Sequence, residues 1–135
     1  MRKSIPTDPP HQTRDHHPLL REEIQDAINN CSINSVPGPS QTNYKMIKWA
    51  WMTSPSLLFE LFNKCLQLGH YPEAFKHTMT CVVPKPNKAD YLLPGSFCPI
   101  QLIKCIAKVF DKIIAKRIQY KVSKHNIVPM TQFGG

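Results

Sequence analysis

Apolar residues fall at helical spacing over the first half of the chain, alternate just past its middle, and return to helical spacing near its end. Leu20, Ile24, Ala27 and Ile28 recur at three- and four-residue steps, which predicts a helix from Leu19 to about Asn30 with one buried stripe. Pro18 suits its first turn, and Glu22, Glu23 and Asp26 sit near the positive end of its dipole. Asn29, Asn30 and Ser32 weaken it toward its end. Ser35-Val36-Pro37-Gly38-Pro39-Ser40 reads as a rigid turn, because two prolines fix φ around a permissive glycine. A second helix follows from Asn43 to Thr53, with Tyr44, Ile47 and Trp51 as its buried face. Ser54 and Pro55 break it, and Ser54 is placed to cap a third helix from Ser56 to Leu68. There Leu58, Phe62, Cys65 and Leu66 share a face with Leu61 beside them, and Gly69 ends the helix.

Tyr71 to Phe75 predicts a short helical turn. Thr78 to Pro84 is rich in β-formers and alternates, so it reads as a strand, closed by Pro84 and Pro86. Asn87 to Ser96 is a polar loop, and Phe97 to Ile100 is too short to assign by itself. The longest helix is expected from Gln101 to Val122, on Leu102, Ile106, Val109, Ile113, Ile114 and Ile118. Asn126 to Gly135 returns to irregular structure. Residues 1–18, with four prolines and three histidines, are expected as a disordered arm, and residues 19–135 as one domain.

Composition narrows the function classes. No run of about 18 apolar residues exists, so no membrane-spanning helix is expected. The N-terminus has no apolar core behind its basic start, so it is not a secretory signal. Cys31, Cys65, Cys81, Cys98 and Cys105 are odd in number and never at CxxC spacing, which argues for reduced thiols inside a cell, cytoplasm or nucleus, rather than a disulfide framework or zinc site. His11, His16 and His17 lie in the floppy arm with no cysteine or carboxylate geometry around them, a poor metal site. Residues 1–67 hold seven Lys or Arg against six Asp or Glu, and residues 68–135 hold ten against three, so the net charge of +8 divides as +1 and +7. A basic half of this kind either meets RNA or DNA or is simply a solvated face.

Lys104, Lys108, Lys112 and Lys116 recur every fourth residue, so they form a ribbon down one side of the long helix, extended by Arg117, Lys121 and Lys124. Such a ribbon is either a track for a phosphate backbone or the polar face opposite the apolar stripe. Tyr44, Trp49 and Trp51 are candidates for base stacking, or core residues at helical spacing. No Ser-His-Asp, Cys-His or Gly-rich phosphate loop is present, and Glu22-Glu23 is the one adjacent acidic pair, on helix positions that point apart.

Seven short motifs follow one another in an order that resembles the opening segment of reverse transcriptases from non-LTR (LINE-type) retrotransposons. Glu23, Ile24, Ala27 and Ile28 match Glu-Ile-x-x-Ala-Ile. Val36-Pro37-Gly38-Pro39 matches the start of Ala-Pro-Gly-Pro-Asp-Gly, which then breaks at Ser40 and Gln41. Leu61-Phe62-Asn63, Cys65-Leu66, Gly69, Pro72 and Lys76 match the next pattern, with Phe75 where Trp is usual. Val82-Val83-Pro84-Lys85-Pro86-Asn87-Lys88 matches a strand running into Pro-Lys-Pro-Gly-Lys, with Asn87 for Gly. Phe97-Cys98-Pro99-Ile100-Gln101-Leu102 stands for Tyr-Arg-Pro-Ile-Ser-Leu. Ala107-Lys108, Asp111-Lys112-Ile113, Ala115 and Arg117-Ile118 match the long helix, and Gln132-Phe133-Gly134-Gly135 closes the segment.

The resemblance implies an α+β chain, an incomplete right-hand polymerase fold of fingers plus palm edge, mostly helical with one small antiparallel hairpin. It implies a truncated reverse-transcriptase-like domain over residues 19–135 that stops before the family's catalytic aspartates. In the family a Lys leaving the first fingers strand and the Arg of Tyr-Arg-Pro-Ile meet the triphosphate. Lys85 and Lys88 are the remaining candidates here, or plain loop lysines, and Cys98 stands where the Arg is lost. A neutral thiol offers neither charge nor a bidentate fork. The intact family holds two Mg²⁺ on paired carboxylates. Past residue 88 only Asp90 and Asp111 remain, in no such motif, so no catalytic residue, metal ligand or cofactor is assigned to this chain. The expectation is a catalytically inactive relative of an RNA-directed DNA polymerase. The alternatives are a nucleic-acid-binding module that keeps the basic surface, or a decayed transposon remnant without activity. The oligomeric state is not legible.

Overall fold

The computed structural model describes residues 17–125. Most of the expected arm, with His11 and His16, and the stretch 126–135 with its closing motif lie outside the described residues. The elements run α1 (Arg21–Asn29), α2 (Tyr44–Thr53), α3 (Pro55–Gln67), α4 (Glu73–Lys76), β1 (Thr78–Pro84), β2 (Phe97–Ile103) and α5 (Cys105–His125), with a single 3₁₀ turn at Pro94–Ser96.

Local chemistry explains most of the boundaries. α1 starts three residues after Pro18, so that proline lies outside its first turn. Leu20 is instead the extended residue before the helix, and its N–H donates to the Glu23 carboxylate at 3.0 Å. With its backbone extended, Leu20 leaves the stripe and is 56% exposed, while Leu19 takes the buried place at 4%. α2 is opened by Asn43, whose side chain accepts from the Met46 N–H at 3.0 Å. Ser54 makes no side-chain cap to α3, and Pro55 stands at the first helical position, where its missing N–H costs no intrahelical bond. The far end of α3 closes as expected at Gly69, with φ at +59°. The Gly69 N–H donates to Leu66 O at 3.3 Å and the His70 N–H to Cys65 O at 3.0 Å, the paired bonds of a Schellman turn.

The ribbon and α5 depart further from the expected boundaries. β2 continues through Ile103, so α5 begins at Cys105 and not at Gln101, and it runs on to His125. Seven cross-strand pairs, from Thr78 opposite Ile103 to Pro84 opposite Phe97, hold residues 101–103 extended. The Thr78 hydroxyl also donates to the Gln101 side chain at 2.7 Å. A spacing of four between Leu102 and Ile106 suits a helix, but it is equally what a strand followed by a helix produces.

The core is a single cluster. Ile24, Ala27 and Ile28 of α1, Tyr44, Ile47 and Trp51 of α2, and Leu58, Phe62 and Cys65 of α3 meet Cys105, Val109, Phe110 and Ile113 of α5. At its centre the rings of Phe62 and Phe110 stack at 5.4 Å, with Phe75 and Tyr71 against Phe110 at 6.3 and 6.0 Å. The predicted faces of α2 and α3 are therefore those observed, except that Leu61 lies exposed at the rim and Leu66 is half-buried. On α5 the stripe covers only the first half. Ile106 and Ile114 are partly buried and Ile118 is exposed, whereas Phe110, absent from the predicted stripe, is fully inside. Every residue of β1 is exposed, so the ribbon stands off the helical body.

The 35–40 turn lies against the junction of β2 and α5. A Cβ built on Gly38 would sit 2.6 Å from both the carbonyl carbon and oxygen of Ile103. The Gln41 N–H closes the turn onto Gly38 O at 2.9 Å, and Gln41 itself has φ of +53°. Among the described residues, the non-glycine residues in left-handed backbone are Gln41 and Asn87. Both stand where the resembled motifs carry glycine, so the backbone keeps a glycine conformation that its side chains do not favour. Relieving this at Gln41→Gly is expected to stabilise the fold by roughly 0.5–1 kcal/mol, the left-handed cost less the entropy of an added glycine. Gly38→Ala is expected to cost about 1–3 kcal/mol through overpacking. Urea denaturation midpoints at constant m-value measure both, and a destabilising Gln41→Gly would contradict the left-handed turn.

Candidate nucleic-acid interface

The end of β1 carries the first group of expected residues. Lys85 prolongs the ladder by donating its N–H to Ser96 O at 2.8 Å. With Val83 opposite Cys98, alternation puts the side chains of Val83, Lys85 and Cys98 on one face of the ribbon. Diagonal neighbours across such a ladder lie roughly 7–8 Å apart, within reach of long side chains. Here the Lys85 ammonium donates to Gly95 O at 3.2 Å. The loop beyond is built by its own contacts. The Tyr91 hydroxyl donates to Lys85 O at 3.0 Å, the Leu92 N–H donates to the Asp90 carboxylate at 2.8 Å, and the Ser96 hydroxyl donates to Asp90 O. Lys88 lies exposed just past the left-handed turn at Asn87.

The lysine ribbon of α5 faces two ways. Its first members, Lys104 and Lys108, lie half-exposed at the start of the helix. Lys112 turns toward α1, where its ammonium donates to Asn30 O at 2.8 Å and contacts the Cys31 sulfur at 3.4 Å. That sets a cation on the negative end of α1, a favourable placement on the helix dipole. Lys116 pairs with Asp26 at 3.8 Å in an exposed ion pair, of little energetic weight. Arg117 engages the Glu23 carboxylate through two nitrogens at 2.6 and 3.0 Å and the carbonyls of His17 and Pro18 at 2.9 and 3.0 Å. Lys112, Lys116 and Arg117, all expected on a phosphate track, thus face α1 and the segment before it.

Burial works to raise the Glu23 pKa, but the hydrogen bonds from Arg117 and the Leu20 N–H, with the charges of Arg117 and Lys116, outweigh it and leave the carboxyl below its ordinary 4.5. Burial, helped by the Asp111 carboxylate that accepts its hydroxyl at 3.1 Å, pushes Tyr71 up to about 12. The thiols of Cys65 and Cys105 are raised chiefly by burial, as befits small core residues. Cys31 is buried too, while Cys81 and Cys98 are exposed on the ribbon.

The two described acids past residue 88 are not brought together. Asp90 closes its own loop and Asp111 accepts from Tyr71. Among the described residues no three His, Cys, Asp or Glu side chains converge. An open groove of about 300 Å³ runs between α2, α4 and α5, lined by Met46, Ile47, Leu58, Phe75 and Ile106 with Lys104 at its edge. It borders Phe75, the residue that stands for the tryptophan of the resembled motif.

The structure also divides the three aromatic candidates. Tyr44 and Trp51 are buried, and the Trp51 indole N–H donates to the Gln25 side chain. Trp49 is 70% exposed. That division was legible in the sequence, since the inward spacing of Tyr44, Ile47 and Trp51 leaves Trp49 on the opposite face.

No family model matches the chain. It is similar to the retrovirus-related Pol polyprotein from type-1 retrotransposable element R1 of Bradysia coprophila, 27% identical over 111 residues that cover 82% of this chain and 11% of that protein. It is also similar to the probable RNA-directed DNA polymerase from transposon BS of Drosophila melanogaster, 26% identical over 117 residues, 87% of this chain and 13% of that one. A third relative is the probable RNA-directed DNA polymerase from transposon X-element of the same fly, 30% identical over 112 residues, 83% of this chain and 12% of that one. The chain therefore spans 11–13% of the length of these relatives.

A carboxyl whose folded pKa is lowered contributes stability above its unfolded value, and that contribution is lost as pH falls through the folded value. Acid unfolding monitored by circular dichroism should therefore show a loss of stability below about pH 4.5 that is shallower in Glu23→Gln, which starts less stable at neutral pH. Parallel profiles for the two proteins would mean that the Arg117 contact is not formed.

Proposed function

We propose, for a chain related in sequence to the RNA-directed DNA polymerases of non-LTR retrotransposons, that it is the fingers segment of such a polymerase and supplies contacts to nucleotide but no catalytic carboxylate. The observation that carries this reading is the ribbon. It stands off the helical body, exposed along the whole of β1, and puts Lys85 and the Cys98 position on one face beside an open loop. A triphosphate needs several fixed cations and donors at once. One lysine and a thiol supply only part of that set. Polymerisation needs in addition carboxylates close together in space, whereas among the described residues no three His, Cys, Asp or Glu side chains converge, and Asp90 and Asp111 are hydrogen-bonded elsewhere.

On this reading the isolated chain incorporates no nucleotide on a primed RNA template with Mg²⁺, and incorporation by pure protein would overturn it. Cys98→Arg restores a guanidinium on the Lys85 face. It is expected to tighten binding of inorganic triphosphate by about ten-fold in calorimetry, the worth of one charge-assisted hydrogen bond. Lys85→Gln in the same background should remove the gain. No change with Cys98→Arg would mean that this face of the ribbon is not a phosphate site.

A further inference from the structure

We propose that the outer face of α2 is a stacking platform for single-stranded nucleic acid, with Trp49 beneath a base and Lys45 and Lys48 on the flanking phosphates. Tyr44, Ile47 and Trp51 turn inward, so Lys45, Lys48, Trp49 and Met52 are left off the core face; Lys45, Trp49 and Met52 are exposed and Lys48 is half-buried at the flank. Lys45 and Trp49 are four residues apart and therefore neighbours on the helix surface. Tryptophan normally hides a large apolar area, and here one helix keeps one indole at 6% exposure and shows the other at 70%.

The charge around Trp49 indicates the ligand. α2 contains no Asp or Glu, and among the described residues neither Lys45 nor Lys48 takes part in an ion pair. The contrast with α5 is direct, for Lys112, Lys116 and Arg117 are held by α1. Lysine is depleted from the centre of protein–protein interfaces. A sequence-tolerant single-strand site combines an aromatic platform with cations along the backbone, which is the combination α2 presents. The proposal rests on the polymerase-segment reading only in its choice of ligand class, and it uses no residue of the ribbon.

The test is fluorescence anisotropy of a labelled oligouridylate titrated with the full chain at several salt concentrations. Trp49→Ala is expected to weaken binding about ten-fold or more, and Trp49→Phe to keep most of it, since any ring can stack. Lys45→Gln with Lys48→Gln should flatten the dependence of log K on log salt by roughly 0.7 per lysine. Thermal melts of all variants should match the parent, because none of these side chains is buried. Equal affinity of Trp49→Ala and the parent overturns the proposal. So does Trp49-dependent binding to anionic phospholipid vesicles, or Trp49-dependent self-association, without oligonucleotide binding. Loss of binding in Lys85→Gln with Lys88→Gln, but not in Trp49→Ala, rejects the α2 platform and leaves the ribbon reading intact. A dead Cys98→Arg response beside a Trp49-dependent oligonucleotide complex does the reverse.

Discussion

Arg117 reaches across 94 residues of chain to grip Glu23, and the packing of α1 on the first half of α5 beneath that grip is what the remaining structure depends on. Ile24, Ala27 and Ile28 meet the side of α5 that carries Val109, Phe110 and Ile113. Lys112 closes the negative end of α1 and Arg117 anchors its positive end through Glu23. Bringing such distant segments together costs loop-closure entropy that grows only slowly with length. Burial of these side chains, each worth roughly 1.5–3 kcal/mol when fully covered, offsets it. The polar contacts add register rather than bulk stability. Each is partly solvated, but together they allow one rotation of α5 about its axis.

That rotation decides what the chain offers to solvent. With Val109, Phe110 and Ile113 turned inward, the lysines on the α1 side are neutralised or used as caps, and the later turns of α5 leave the body with Ile118 and Tyr120 exposed. α3 meets Phe110 through Phe62, while α2 joins the same core through Tyr44, Ile47 and Trp51, which turns its other side outward. Gly38 lets the turn after α1 lie directly against the strand–helix junction. The ribbon leaves from that junction. Exposed elements on a packed scaffold are the usual arrangement for binding sites, and the functional readings above fall on the ribbon and on α2.

The sequence revealed the faces of α2 and α3, the strand β1 and the Gly69 stop, because spacing and turn chemistry agree there. It misplaced residues whose pattern suits two structures. Gln101 to Ile103 read as the start of a helix because Leu102 and Ile106 are four apart, yet pairing with Thr78 to Thr80 holds them in a strand, and that pairing partner is over twenty residues away. Leu20 fits the α1 stripe by spacing alone, but the helix begins one residue later. The basic ribbon of α5 is periodic in sequence, and what its lysines touch depends on α1 packing alongside, which no local pattern encodes. The motifs that suggested kinship were informative in a different way. Gln41 and Asn87 depart from them in residue type while the backbone keeps the left-handed turn.

Site-resolved hydrogen exchange of the isolated chain tests most directly whether α1 and the first half of α5 form the unit on which the rest depends. Amides of residues 24–29 and 109–114 should open together, with the highest protection in the chain, while those of β1 and of residues 118–125 exchange much faster. Ribbon amides protected as strongly as these, or an α1 that opens independently of α5, would contradict the account.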